Sequence, residues 1–408
     1  MESIVSGLDL RLYRLELKKE LTNILNWWMN SAVDVNGGFV GKIDHGQKVY
    51  PEAPKGAVLN ARILWSFSAG YNSCKQEEYL AHAHRAFNYI CNHFLDKEYG
   101  GVYWTVNAAG QALNTKKQVY AISFMIYALA EYSRAAESIE AQALAIQLYQ
   151  DLVKHSFDSK RTGYFEAFDR DWSEIEDFRL SEKDGNERKT MNTHLHVLEG
   201  YTSLYRSWKD EGLKRQILSL ISNFKEHIIR QDNYHLNLFM DDDWTVKSST
   251  ISFGHDIEAS WLLLEAAEAI EDQQAIQSIK NIAVLMARAS LEGIDRDGGM
   301  FYELDSNSGH MLREKHWWVQ SEAIIGFFNA WQISNEELFL HQSYRVWDYV
   351  KAHLLDLHHG EWVWGRDKNG RVMIEEDKAG MWKCPYHNSR ACLELIKRLD
   401  AFASSNDS

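Results

Sequence analysis

Gly100-Gly101-Val102-Tyr103-Trp104 reads as a glycine-initiated turn running into a short extended aromatic piece, and versions of it occur six times. The others are Gly37-Gly38-Phe39, Thr162-Gly163-Tyr164-Phe165-Glu166, His235-Leu236-Asn237-Leu238-Phe239, Gly298-Gly299-Met300-Phe301-Tyr302-Glu303 and Gly360-Glu361-Trp362-Val363-Trp364. Their starting positions, 37, 100, 162, 235, 298 and 360, are 63, 62, 73, 63 and 62 residues apart. A steady period of this length marks units that each fail to bury an apolar face alone and must pack on one another.

Around each phrase the pattern is the same. A helical period precedes it, as in 81–94 or 340–355, with apolar residues at i, i+3, i+4 and i+7. A more apolar helical stretch follows: 57–71, 119–132, 191–208, 255–270, 320–331 and 386–399. One amphipathic and one nearly apolar helix per unit predict an outer ring around an inner ring. The expected fold is all-α, an (α/α)6 barrel of six helical hairpins with short β-hairpin loops at the rim. It should occupy residues 1–408 as a single catalytic domain. A solenoid would need capping repeats and a two-domain chain a linker; neither pattern is present. Only three prolines occur in 408 residues, in keeping with long helices, where each costs about 3 kcal/mol.

Composition narrows the function. The chain carries 44 Lys+Arg against 58 Asp+Glu, a net charge of −14, so a nucleic-acid partner is not expected. No apolar run approaches the ~20 residues of a membrane span, and residues 1–7 lack the basic and apolar regions of a signal peptide. A cytoplasmic protein, monomeric or a weak homodimer, is expected. The four cysteines form no CxxC pair and read as isolated thiols. Fifteen tryptophans suit a carbohydrate site, where flat apolar faces meet sugar C–H groups.

In such a barrel the inner helices run the same way, so their first turns converge on one rim. Those turns carry Asn60 and Arg62; Tyr120 and Ser123; Asn192, His194 and His196; His255, Asp256 and Glu258; Gln320 and Glu322; and His387, Asn388 and Arg390. Ionisable groups in apolar helices are costly unless paired or used. His194 and His196 lie about 200° apart around a helix, so one of them is structural; His196, which shares a face with Asn192, is the candidate. A lone histidine at a helix start is commonly a cap, but Glu258 at i+3 is placed to orient His255. Pro385 opens a helix and puts His387 in its first turn. His196, His255 and His387 could instead be three metal ligands, but no HxxxH or HExxH spacing occurs and Arg62 would repel a cation; no metal is expected. His82, His84, His358 and His359 fall on outer helices or turns and should face solvent.

Several longer phrases resemble the N-acylglucosamine 2-epimerase superfamily, and within it the cellobiose 2-epimerases. They are Pro51-Glu52-Ala53-Pro54-Lys55-Gly56-Ala57-Val58-Leu59-Asn60-Ala61-Arg62, Met191-Asn192-Thr193-His194-Leu195-His196-Val197-Leu198-Glu199 and Ser252-Phe253-Gly254-His255-Asp256-Ile257-Glu258-Ala259-Ser260-Trp261. His316-Trp317-Trp318 and Trp382-Lys383-Cys384-Pro385-Tyr386-His387-Asn388 complete the set. The resemblance, running from about Leu15 to Leu399, implies an (α/α)6 barrel that converts the reducing-end glucose of β-1,4-disaccharides such as cellobiose or lactose to mannose without a cofactor. It places the acid/base pair on His255 and His387, an assisting histidine on His196 and an oxygen-polarising arginine on Arg62. Substrate contacts would fall on Tyr120, Asp184, Asn192 and Glu258, with Trp318 and Trp382 as aromatic surfaces.

Histidine titrates near neutrality and can both take and return a C2 proton through a cis-enediolate. Two of them, on inner helices four and six, would face opposite sides of a bound sugar and invert C2. Mannose 2-epimerases share nearly all of these residues, and an aldose–ketose isomerase would reprotonate the same enediolate at C1. A glycoside hydrolase would use two carboxylates from among Asp184, Glu258 and Glu322. A non-catalytic sugar-binding ring would keep the tryptophans but has no use for the histidines.

Overall fold

Odd- and even-numbered helices differ in what they bury. The computed structural model describes residues 4–5 and 7–406, and among these it shows twelve α-helices. In chain order they are α1 (Leu10–Ser31), α2 (Ala57–Cys74), α3 (Glu77–His93), α4 (Val119–Ala136), α5 (Ile139–His155) and α6 (Met191–Ser207). There follow α7 (Glu211–Asn223), α8 (Phe253–Ala269), α9 (Gln273–Ser290), α10 (Trp317–Ser334), α11 (Glu337–His353) and α12 (Tyr386–Asn406). In α2 every residue from Ala57 to Gly70 is buried. In α9 the buried residues are Ile279, Ala283, Met286, Ala287 and Ser290, the single stripe of a helix packed on one side. Even-numbered helices therefore form the inner ring and odd-numbered ones the outer, an (α/α)6 barrel.

The ring closes in a way the sequence pattern does not reveal. Neighbouring inner helices pack in the order α2, α4, α6, α8, α10, α12 and back to α2. Each inner helix also packs on the outer helix that follows it, and α12 packs on α1. The first helix thus supplies the outer partner of the last. Turns between inner and outer helices are short, with left-handed backbone at Lys75, Glu137 and Asn335. The long connections run from outer to inner helices and build the rim.

That rim is stitched between units. The strand leading into each inner helix pairs antiparallel with the strand after the next unit's phrase: Lys55 with Val106, Lys117 with Phe168, Lys189 with Met240, Ser252 with Glu303 and Lys315 with Arg366. A bridge between Ile43 and Ala379 joins the last unit to the first. Hairpins within a unit are present too, as in Glu303–Asp305 with His310–Leu312. The first N–H of an inner helix, ordinarily an orphan donor, goes to a neighbouring unit's carbonyl. Ala57 donates to Trp104, Val119 to Glu166, Met191 to Leu238 and Trp317 to Trp364. This fixes where the helices start. Accordingly α10 begins at Trp317, three residues before the apolar period predicts, and α8 begins at Phe253, two residues before it.

Under the rim lies a repeated ion pair. The lysine two residues before an inner helix reaches the aspartate that follows the preceding outer helix: Lys55–Asp34 at 2.6 Å, Lys117–Asp96 at 2.8 Å, Lys189–Asp158 at 2.9 Å and Lys315–Asp295 at 2.6 Å. In the sixth unit Lys378 meets Asp356 at 2.7 Å. In the fourth unit the two positions hold Ile251 and Arg230, and Arg230 donates to Asn237 instead. Among the described residues no helix is long and apolar enough to cross a membrane.

Candidate active site

The first turns of the inner helices do meet at one mouth, and the polar groups there are tied together across helices. Arg390 on α12 is the hub. Its Nη2 donates to Glu258 on α8 at 2.5 Å and to Glu322 on α10 at 2.7 Å. Its Nη1 contacts Glu199 on α6 and the Tyr386 hydroxyl, and that hydroxyl also donates to Glu199 at 2.5 Å. Two histidines hang from this hub. His196 Nδ1 lies 2.9 Å from Glu199, and His387 Nδ1 lies 2.6 Å from Glu322. The Glu322 oxygen that faces His387 also accepts from Arg390, so it is an acceptor. Nδ1 of His387 therefore carries the proton, and Nε2 carries the lone pair.

His255 is held differently. Glu258 was expected to orient it, but that carboxylate is taken by Arg390; His255 Nδ1 meets the Ser252 hydroxyl at 2.8 Å. The reason is geometric. Ser252 is the last strand residue before α8 and lies within reach of its first turn, while Glu258 is drawn to the guanidinium. Trp318 on α10 sits against both histidines, its ring centroid 4.7 Å from that of His255 and 5.7 Å from that of His387. Gly254 makes this possible: a Cβ there would stand 2.6 Å from the indole. Helix α10 lies between α8 and α12 and so sets the spacing of the two imidazoles.

Arg62 on α2 is buried and donates from Nη2 to the Tyr120 hydroxyl at 2.8 Å. Its guanidinium lies over Phe124 at 4.2 Å and Tyr386 at 4.9 Å, and its Nε has no hydrogen-bond partner among the described residues. Burial alone would pull its pKa down, but Tyr120, Cys384, Tyr386 and Glu258 hold it above the ordinary value. The Tyr120 ring meets His196 edge-on at 5.0 Å and Trp382 at 6.2 Å. Asn192, in the first turn of α6, has a buried Oδ1 without a hydrogen-bond partner among the described residues. Asp184 stands apart from the network: it lies in the loop before α6, and its carboxylate accepts from the Ser181 N–H and hydroxyl at 2.8 and 2.9 Å.

Burial sets the protonation states. It pushes His255 down to about 3, with the charge of His196 adding to the effect. His387 lies well below the ordinary histidine value through burial and the nearby Arg62 and Arg390. Both are neutral bases at neutral pH. Glu258 is pushed up to about 7 by burial and by Glu322. Glu199 resists the same burial and stays low because Arg390 and His196 hold its negative form.

His194 is structural, as its position predicts. Its Nδ1 donates to the Thr190 carbonyl at 2.6 Å and its Nε2 accepts from the Tyr164 N–H at 2.9 Å. Gly163, with φ +78°, leaves room for it; a Cβ there would stand 2.7 Å from Nε2. His84, His358 and His359 are exposed, whereas His82 is partly covered and stacks on Phe67. Pro385 precedes α12, and its carbonyl accepts from the Ser389 N–H. The hub built by Glu199, Tyr386 and Arg390 is not legible from local spacing, because the contacts of Arg390 with Glu199, Glu258 and Glu322 cross helices remote in sequence. The i, i+3 steps from His196 to Glu199 and from Ser252 to His255, and the i, i+4 step from Tyr386 to Arg390, were there to be read.

Among the described residues, one trio could hold a metal ion: Glu258, Glu322 and His387, whose donor atoms lie within 4.8 Å of one another. Arg390 already places a positive nitrogen between both carboxylates, so the trio is poorly matched to a second cation.

The N-acylglucosamine 2-epimerase family pattern matches residues 37–391. The chain is 50% identical over 383 residues to a cellobiose 2-epimerase of Bacteroides fragilis, covering 93% of this chain and 98% of that one. It is 36% identical to a cellobiose 2-epimerase of Dictyoglomus turgidum, with 96% and 100% covered. The solved cellobiose 2-epimerase of Bacillus thermoamylovorans superimposes with a TM-score of 0.90 at 39% identity, covering 95% of this chain and all of that one.

Proposed function

Because the chain belongs to the N-acylglucosamine 2-epimerase family and catalyses the 2-epimerisation of cellobiose, we propose that it passes the C2 proton between His255 and His387. One observation carries this reading: a half-buried imidazole, His255, and a buried one, His387, flank Trp318, each with Nδ1 engaged and Nε2 left to act. The reducing-end ring opens, and one Nε2 removes the C2 proton, whose electron pair passes into a cis-enediolate. As the enediolate's negative charge develops beside it, the other histidine takes a proton from water at Nε2 and delivers it to the opposite face, while the first imidazolium gives its proton back to solvent. Glucose and mannose ends interconvert, as in lactose to epilactose.

The enediolate oxygen is served by Arg62 and His196, each donor being worth about 3–4 kcal/mol when preorganised. Tyr120, Asn192 and Glu258 contact the reacting sugar, and Asp184 the second ring. Trp318 and Trp382 hold sugar faces, so that proton transfer becomes effectively intramolecular. No metal or other cofactor takes part. Residues 1–408 act as one catalytic domain, a monomer or weak homodimer working in the cytoplasm. Hydrolysis is disfavoured: Glu258 and Glu322 accept from one nitrogen of Arg390, which leaves no room between them for a scissile bond.

The test is proton NMR of cellobiose with EDTA-treated protein in D₂O, beside His255→Ala and His387→Ala. The expected product has a mannose-type reducing end with deuterium at C2, and neither variant turns over while both stay folded. Activity near that of the parent in either variant overturns the two-base scheme. A ketose signal would move the main reaction to isomerisation, and free glucose would move it to hydrolysis.

A further inference from the structure

Ser252 stands at the N-cap of α8, extended at φ −111° and ψ 102°, yet its side chain does not cap the helix. Serine at this position ordinarily accepts an N–H from the first turn, worth about 1 kcal/mol. Ser138, Thr190, Asp210 and Asp272 do so at the heads of α5, α6, α7 and α9. The Ser252 hydroxyl is turned instead to His255 Nδ1 at 2.8 Å, and the residue is fully buried. Its backbone is pinned by pairing with Glu303. Among the described residues no carboxylate lies within ion-pair distance of His255, whereas His387 is backed by Glu322.

We propose that Ser252 is a positioning residue for His255. Its hydroxyl accepts the Nδ1 proton, so that the neutral ring is held as the Nδ1–H tautomer with the lone pair on Nε2. When Nε2 takes the C2 proton, the C–H electron pair stays with the enediolate. The new imidazolium keeps its Nδ1–H on the serine oxygen, and no second proton moves. The two histidines are therefore unequal partners, one backed by a carboxylate and one by a hydroxyl. This inference rests on the two-histidine reading above.

Ser252→Ala and Ser252→Gly both remove the hydroxyl, and because it caps nothing, both should keep Tm close to the parent value. With cellobiose, kcat should fall by at least about tenfold, within the range a positioned base supplies, while KM stays within about twofold. The loss in kcat/KM must be equal in both directions, since the equilibrium is fixed. Exchange separates positioning from general damage. Each epimer's C2 hydrogen should wash out into D₂O through its own histidine, so one epimer should lose exchange while the other keeps it. In ¹⁵N-histidine spectra the His255 Nδ1–H signature should be present in the parent and absent from the alanine variant. Parent-like kcat in both variants, or exchange slowed equally for both epimers, overturns the proposal. If His255→Ala is inactive while Ser252→Ala is normal, only the serine's role falls; if His255→Ala is active, the two-histidine reading falls with it.

Discussion

Arg390 answers to three glutamates and a tyrosine with one guanidinium, and none of these groups sees solvent. Breaking such a network leaves buried charge uncompensated, at a cost of about 3–5 kcal/mol. Arg390→Met should therefore lower unfolding free energy by about that much in urea titration, and should abolish epimerisation by releasing Glu199 and Glu322 from the histidines they orient. The depressed basicity of His255 and His387 has its own consequence. A base with a lowered pKa stays unprotonated as pH falls below 6.5, so activity should persist into acid. The acid limb of kcat/KM, which reports the free enzyme, should lie well below that of ordinary histidine. An apparent value at 6.5 or higher would count against neutral bases. His196, His255 and His387 were legible in the sequence because polar residues in apolar helix starts stand out. The hub that ties His196 to His387 was not, because Glu199 and Arg390 are 191 positions apart and no local spacing joins them.

At the scale of elements, the strand before an inner helix does two things at once. It pairs with the next unit, and in four units its lysine anchors an aspartate from the preceding outer helix. Lys55 and Asp34 are almost wholly buried, so Lys55→Met should cost about 3–5 kcal/mol, read as a lower Tm, with KM for cellobiose little changed. The two helices of each unit were readable from their apolar stripes. The seams between units were not, since strands of two or three residues carry too short a pattern. The fourth unit departs from the lysine–aspartate scheme, and its strand is the one that ends in Ser252. The departure and the diverted hydroxyl lie side by side.

The whole ring is shut by contact alone at one place. Helix α1 lies on α12 with Arg14 bonded to Asp400, and Glu16 accepts from Trp347 Nε1 at 2.7 Å and from Lys351 Nζ at 2.8 Å. The other five inner helices are each joined to their outer partner by a covalent turn. Opening should therefore begin at α1. Hydrogen exchange should show the amides of α1 opening at lower free energy than those of α4 or α6, whose neighbours on both sides are chain-linked. Equal protection of α1 and α4 would contradict this. The number of units could be counted from the sequence, but which outer helix serves the last inner one could not, because the period says nothing of how its ends join.

The contact between Arg14 and Asp400 also means that the first and the last helix lie side by side. The order of the six units along the chain is thus a matter of where the circle was cut. Linking the ends and starting the polypeptide at Gln76, in the turn between α2 and α3, would give a circular permutant with the same mouth, the same histidines and the same catalysis. Its weakest joint would have moved to the new opening.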